Sequence, residues 1–150
     1  MRIGIDLGGT KIEGIRLNKD GSTDKKIRIG TPTEGYDDVI KATCNLINDL
    51  QTKDRLTVGL GTPGTLDPQT NLMKNSDSLC LNRKPFKEDI ENELGYPVEV
   101  ENDANCFTLS EANYGAGDGY ECVFGVVLGT GCGGGLVERK NLLNGPNRIA

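Results

Sequence analysis

Strand, glycine turn and strand follow one another near both ends of this chain: GIDLGGTKIEGI begins at Gly4 and LGTGCGGGLV begins at Leu128. Arg2 to Leu7 and Lys11 to Leu17 alternate apolar with other residues, so Gly8-Gly9-Thr10 between them reads as a hairpin turn. Cys122 to Leu128 is a near-continuous apolar strand, and Leu136-Val137 resumes after GTGCGGG. An internal echo of this kind constrains the fold more than any single motif does. Glycine makes up 21 of the 150 residues, about double its usual share. The glycines cluster in short turns, which marks special backbone geometry rather than flexible linker.

The segments between the two turns predict an α/β fold. Thr23 to Gly30 supplies a third strand. Val39, Ile40, Thr43, Ile47 and Leu50 keep a three-four spacing that predicts a helix from Tyr36, with an acidic, capping-type start over Thr33 to Asp38. Leu56 to Leu60 reads as a short buried strand ending in GLGTPG, and Gly64 to Ser78, polar and broken by Pro68, as a loop of the kind that carries a site. A helix over Pro85 to Leu94 closed by Gly95, a strand over Pro97 to Glu101, and a helix over Ala104 to Tyr114 stopped by Gly115 complete the pattern. Gly115 to Gly119 is a glycine-rich joint, placing a domain boundary there.

Charge and cysteine usage narrow the function classes. Seventeen Lys and Arg against 22 Asp and Glu give a formal net charge of -5, which argues against a nucleic-acid backbone as partner. Cys44, Cys80, Cys106, Cys122 and Cys132 form no C-x-x-C pair, and there is no His, so neither a disulfide framework nor zinc ligands are expected. No signal peptide or membrane span is apparent, and a cytoplasmic protein is the expectation.

Three nucleotide motifs can be tried on the glycine turns. Gly4 to Gly9 has P-loop glycine spacing, but Thr10-Lys11 and then a strand follow, where a P-loop needs Lys, then Ser or Thr, and a helix. Both GLGTPG and GTGCGG match G-x-G-x-x-G, yet neither opens a helix able to hold a pyrophosphate. What survives is a hairpin turn whose bare backbone N–H groups admit a phosphate oxygen. Thr10 and Lys11 would add a hydroxyl and a positive charge, and Asp6 could hold a hydrated Mg2+. The same residues also suit an ordinary tight hairpin. Asn102 or Asp103 ahead of ANCFTLSEA is likewise a good helix N-cap.

DLGGTK, GLGTPG, ENDANCFTLSEA and LGTGCGGGL, in this order, resemble the ROK family of sugar kinases and regulators. The segment from KNSDSLCLNRKPF to ENDAN looks most like the fructokinase or mannokinase branch, with the N-acetylglucosamine kinases second. The resemblance implies an actin-like, ribonuclease-H-like α/β fold with a mixed sheet: a first lobe over residues 1–116, and the first hairpin of a second lobe over 117–150. It implies ATP-dependent phosphorylation of a hexose to its 6-phosphate, with Mg2+, in a homodimer that binds neither nucleic acid nor membrane. Asp6, Gly8, Gly9, Thr10 and Lys11 would form the first phosphate turn, and Thr130, Gly131, Gly133 and Gly134 the second. Asp103 matches the catalytic base, and Gly64, Asn75 and Asn102 match sugar-binding positions. Neutral amides suit a sugar because they donate and accept without the desolvation penalty of a charge. Family chains are about twice this length, so an N-terminal half, active or not, and a non-catalytic sugar-binding module or regulator are the alternatives.

Overall fold

The computed structural model describes residues 1–129 and 131–148. Strands β1 (Arg2–Leu7), β2 (Lys11–Leu17) and β3 (Thr23–Gly30) form an antiparallel meander. Helix α1 (Tyr36–Leu50) then returns the chain so that β4 (Thr57–Thr62) runs parallel to β1. The short strands β5 (Thr65–Leu66) and β6 (Met73–Lys74) pair with each other, and α2 (Phe86–Leu94) leads to β7 (Glu99–Asn102), parallel to β4. The result is a mixed sheet of order β3-β2-β1-β4-β7. Parallel neighbours need a crossover connection, and α1 and α2 lie in those two connections.

Alternation along the strands decides where the core sits. Ile3, Ile5 and Leu7 of β1 and Val58 and Leu60 of β4 are buried in one cluster with Val39, Leu46, Ile47 and Leu50 of α1 and Phe86 and Ile90 of α2. Each such side chain contributes about 1.5–3 kcal/mol on leaving water. Gly14 lets α1 approach β2: a Cβ there would stand 2.6 Å from Leu50 Cδ1 and 3.0 Å from Ile5 Cδ1. Arg16 on β2 holds the far end of the helix, donating from Nη1 to the carbonyls of Leu50 (2.9 Å) and Gln51 (3.3 Å).

Helix α3 (Asp103–Tyr114) begins directly where β7 ends and leads to a second sheet of order β10-β9-β8, made by β8 (Cys122–Leu128), β9 (Cys132–Glu138) and β10 (Asn141–Leu142). Glycine again sets the contact distance. A Cβ on Gly125 would overlap Thr108 Oγ1, one on Gly133 would meet Ala104 Cβ at 3.0 Å, and one on Gly135 would meet Thr108 Oγ1 at 2.7 Å. The opposite face of β8 is apolar and open, with Phe124 68% and Leu128 79% exposed. No helix among the described residues is long and apolar enough to cross a membrane.

Three expectations change in detail. The acidic segment before α1 supplies no side-chain cap: Gly35 is the N-cap, and Asp37 and Asp38 sit in the first turn, where the positive end of the helix dipole favours them. Helix α3 starts at Asp103 rather than Ala104, because Asn102 takes the cap. The stretch from Gly64 to Ser78 is not plain loop. It folds into the β5–β6 pair, braced by Asp67, whose Oδ1 accepts from Gln69 N–H at 2.9 Å and whose Oδ2 accepts from Lys74 Nζ at 2.9 Å.

Candidate functional site

The first glycine turn is held by its own backbone and by a residue beyond β3. Gly8 N–H donates to Lys11 O at 2.9 Å, and Thr31 donates twice, from N–H to Thr10 O (3.0 Å) and from Oγ1 to Gly8 O (2.7 Å). A Cβ on Gly8 would stand 2.9 Å from Lys11 O, so the turn closes this tightly only with glycine there. Thr31 was not legible as a site residue, since one threonine after a strand carries no signal.

Gly64 closes the second piece. Its φ is +80°, and a Cβ would overlap Lys74 O and lie 2.7 Å from Ser76 N. Asn75, the residue it presses on, is itself left-handed at φ +55°, a conformation that asparagine tolerates. The Gly64 carbonyl accepts from Asn102 Nδ2 at 3.0 Å, joining this turn to the end of β7.

Asn102 and Asp103 share the corner between β7 and α3. Asn102 Oδ1 caps the helix, accepting from the N–H groups of Ala104 (3.0 Å) and Asn105 (3.2 Å). Asp103 Oδ1 accepts from Ala104 N–H at 2.8 Å and from Asn102 Nδ2 at 3.0 Å. Of the two, Asn102 is the cap, and Asp103 carries an exposed carboxylate held at one oxygen. Asn102 is also fully engaged within the chain, so a ligand hydroxyl would share its bonds rather than find it idle.

A cleft of about 800 Å³ gathers these pieces. Gly8, Gly9 and Thr10 reach it from the first sheet, Gly64 and Asn75 from the β4–β6 region, Asn102 and Asp103 from the corner, and Gly131, Gly133 and Gly134 from the second sheet. Lys11 is not among the lining residues; it begins β2 with its side chain in solvent. Thr130 lies outside the described residues. Asp6 lines an adjoining cavity of about 710 Å³, over the glycine face of β1 and β4, which shares Asp103 with the cleft. Helix α3 passes in contact there: a Cβ on Gly61 would stand 3.6 Å from Cys106 Sγ, an ordinary packing distance. Ser78 and Asp77 also line the cleft, without a motif to announce them.

The electrostatics of this floor are acidic. Desolvation at the glycine face, with the charges of Asp103 and Glu13 beside it, holds the Asp6 carboxyl above its ordinary value of 3.8. Burial, then Glu101, Asp103 and Asp6, push the Cys106 thiol up to about 11, so it stays protonated at neutral pH. A cation arriving near Asp6 would relieve this repulsion. One carboxylate suits a hydrated Mg2+ carried by a phosphate, and no group of three or more acidic or Cys ligands occurs among the described residues.

A folded-state pKa that is raised means stability present below 3.8 and lost as pH rises through the higher folded value. Asp6→Asn is accordingly expected to raise the thermal midpoint at neutral pH. The difference from the unsubstituted chain should close as pH falls toward 3.8, which thermal melts across a pH series would read.

Comparison with known proteins places the chain. The ROK family model matches residues 2–150. The chain belongs to the ROK family. It is 38% identical over 152 residues to the N-acetyl-D-glucosamine kinase of Pasteurella multocida, matching 100% of this chain and 50% of that protein. An N-acetylgalactosamine kinase of Shewanella sp. is also 38% identical, over 100% of this chain and 49% of its own length. Among solved structures, a ROK family glucokinase from Streptomyces griseus in complex with glucose and AMPPNP superposes with a TM-score of 0.88 at 31% identity, covering 99% of this chain and 48% of that one. A homologue of the E. coli MLC regulator gives a TM-score of 0.82 at 19% identity over 97% of this chain and 38% of its own, a likeness of fold alone. The fold is the actin-like α/β fold of ROK sugar kinases. The chain spans about half the length of the curated relatives it matches. The expected fructokinase placement is not supported, since curated relatives at 38 and 39% identity are N-acetyl-D-glucosamine kinases.

Proposed function

We propose that this ROK chain forms the nucleotide- and sugar-facing part of an ATP-dependent kinase that phosphorylates a hexose or an N-acetylhexosamine at its 6-hydroxyl. One observation carries the reading: glycine turns from two separate sheets and the carboxylate of Asp103 face a single cleft of about 800 Å³. A polyphosphate needs donors from more than one side, and a sugar hydroxyl needs a base at the same place. The relatives' names support N-acetylglucosamine as strongly as glucose.

ATP bound with Mg2+ would supply the phosphoryl group and neutralise charge on its oxygens. Gly8, Gly9, Gly131, Gly133 and Gly134 would line the phosphates from both sheets, with the Thr10 hydroxyl beside them, and Asp6 would orient the hydrated ion. Gly8 would do so through the bare face its missing Cβ leaves, because its own N–H is engaged with Lys11 O. The sugar would lie against Gly64, Asn75 and Asn102. Asp103 has Oδ1 tied to Ala104 and Asn102, so Oδ2 would accept the 6-hydroxyl proton as that oxygen bonds the terminal phosphorus and ADP leaves. We place the division between the two lobes at residues 116 and 117, in the glycine-rich joint.

Sugar-dependent ADP release with Mg-ATP, over N-acetylglucosamine, N-acetylgalactosamine, glucose, mannose and fructose, tests this, with calorimetric binding of AMPPNP and each sugar beside it. Turnover or binding with any of the five supports the reading, and the sugar singled out names the substrate. A chain that binds neither nucleotide nor any sugar would refute it.

A further inference from the structure

Asn105 is an amide with no place in the reading above, yet it is only 4% exposed, on the packed face of α3 beside Ala104 and Thr108. Its Nδ2 donates to Glu101 Oε1 at 3.1 Å and to Asn144 Oδ1 at 3.3 Å. Because the Glu101 carboxylate only accepts, the amide nitrogen must be the end that faces it. The carbonyl oxygen is left toward β9, 2.9 Å from where a Cβ on Gly135 would sit, and has no partner among the described residues. An apolar side chain of similar size would not carry that penalty. What such a residue could not supply is the pair of donors.

Those donors act on the corner that carries Asp103. Glu101 Oε1, which Asn105 holds, also accepts the backbone N–H of Asn102 at 2.8 Å. Asn102 in turn donates to Asp103 Oδ1 and caps α3. We propose that Asn105 and Glu101 are positioning residues, their shared hydrogen bonds fixing the direction in which Asp103 presents its carboxylate. Through Asn144, the same amide ties this corner to the chain just beyond β10, so the second sheet and its glycine turn are held in register with the base. The inference rests on the kinase reading for its catalytic part and on geometry alone for its structural part.

The test is Asn105→Asp, which sets two carboxylates against each other, beside the double variant Glu101→Gln with Asn105→Asp. Both bonds converge on Glu101 Oε1, so in the double variant the glutamine introduced at position 101 must turn about its last torsion to donate from Nε2 to the new carboxylate while its Oε1 accepts from Asn102 N–H. Asn102 amide hydrogen exchange, read by NMR on the 150-residue chain, needs no activity. Asn105→Asp is expected to speed that exchange and to lower kcat for sugar-dependent ADP release about 10- to 100-fold, with little change in sugar KM. The double variant is expected to recover most of both. Glu101→Ala, at a half-buried site, is the second variant should Asn105→Asp fail to fold, with the same faster Asn102 exchange expected. Unchanged exchange in the single variants, or no recovery in the double, would overturn the proposal, as would a raised KM at unchanged kcat. If the unsubstituted chain shows no turnover, the exchange measurement alone decides the positioning, and the kinase reading stands or falls separately on nucleotide and sugar binding.

Discussion

Asp103→Asn is expected to lower sugar-dependent ADP formation by about 10²- to 10⁴-fold, the usual contribution of a positioned general base. The substitution separates chemistry from structure unusually well here. Asparagine keeps an Oδ1 that can accept from Ala104 N–H, the bond that Asp103 makes at 2.8 Å, so the first turn of α3 retains its partner. Asn102, which does the capping proper, is untouched. Thermal unfolding should thus be nearly unchanged while turnover collapses, with sugar KM little altered because the lost interaction belongs to the transition state. Steady-state ADP release beside a thermal melt reads both quantities. Turnover near that of the unsubstituted chain would move the base to another residue, and a collapsed melt would make Asp103 primarily a structural residue.

Gly64→Ala should act in the opposite way, through the fold first. The residue sits at φ +80°, where an L side chain adds about 1–2 kcal/mol of backbone strain. The new methyl would also overlap Lys74 O and meet Ser76 N at 2.7 Å and the Asn75 carbonyl carbon at 2.9 Å. All three are backbone atoms of a segment held by the Ser76–Asn82 bonds at 2.9 and 2.8 Å, so none can swing aside as a side-chain tip would. Overpacking of this sort adds roughly 1–3 kcal/mol. A total near 3 kcal/mol corresponds to a fall in thermal midpoint of roughly 6–12 °C for a domain of this size. Displacing Asn75 and the Asn102–Gly64 bond should also weaken sugar binding, which calorimetry would register. A midpoint within a degree or so of the unsubstituted chain would mean that the β5–β6 segment yields far more easily than its hydrogen bonds suggest.

The residues that were readable in advance share one property: their chemistry is local. Alternation over Arg2–Leu7 and Lys11–Leu17 reports a face of a strand, and the three-four spacing of α1 reports a face of a helix. Gly8-Gly9, Gly64 and the glycines of GTGCGGG stand out because glycine is the residue that a tight turn or a close approach requires. The residues that were not readable act across distance. Thr31 reaches back to Gly8 and Thr10, and Asn105 joins Glu101 to Asn144, a residue 39 positions beyond Asn105 along the chain. Lys11 stands outside the cleft lining for the complementary reason: its place beside the turn is a fact of sequence, while the side to which it points is set by the pleat of β2.

Sequence by itself determined that this is an α/β chain with two glycine turns, a helix opening at the END corner and an acid placed there. These follow from hydrophobic period, backbone permissiveness and capping, all of which operate within a few residues. Only the tertiary structure decided that both turns and Asp103 open on one cleft, that Asp6 lies in an adjoining cavity beside them, and that Glu101 and Asn105 brace the corner carrying Asp103. The order β3-β2-β1-β4-β7 and the glycine seat of α3 on β8 and β9 produce that convergence. Both depend on how closely non-neighbouring backbones can approach, a property that no stretch of the chain carries alone.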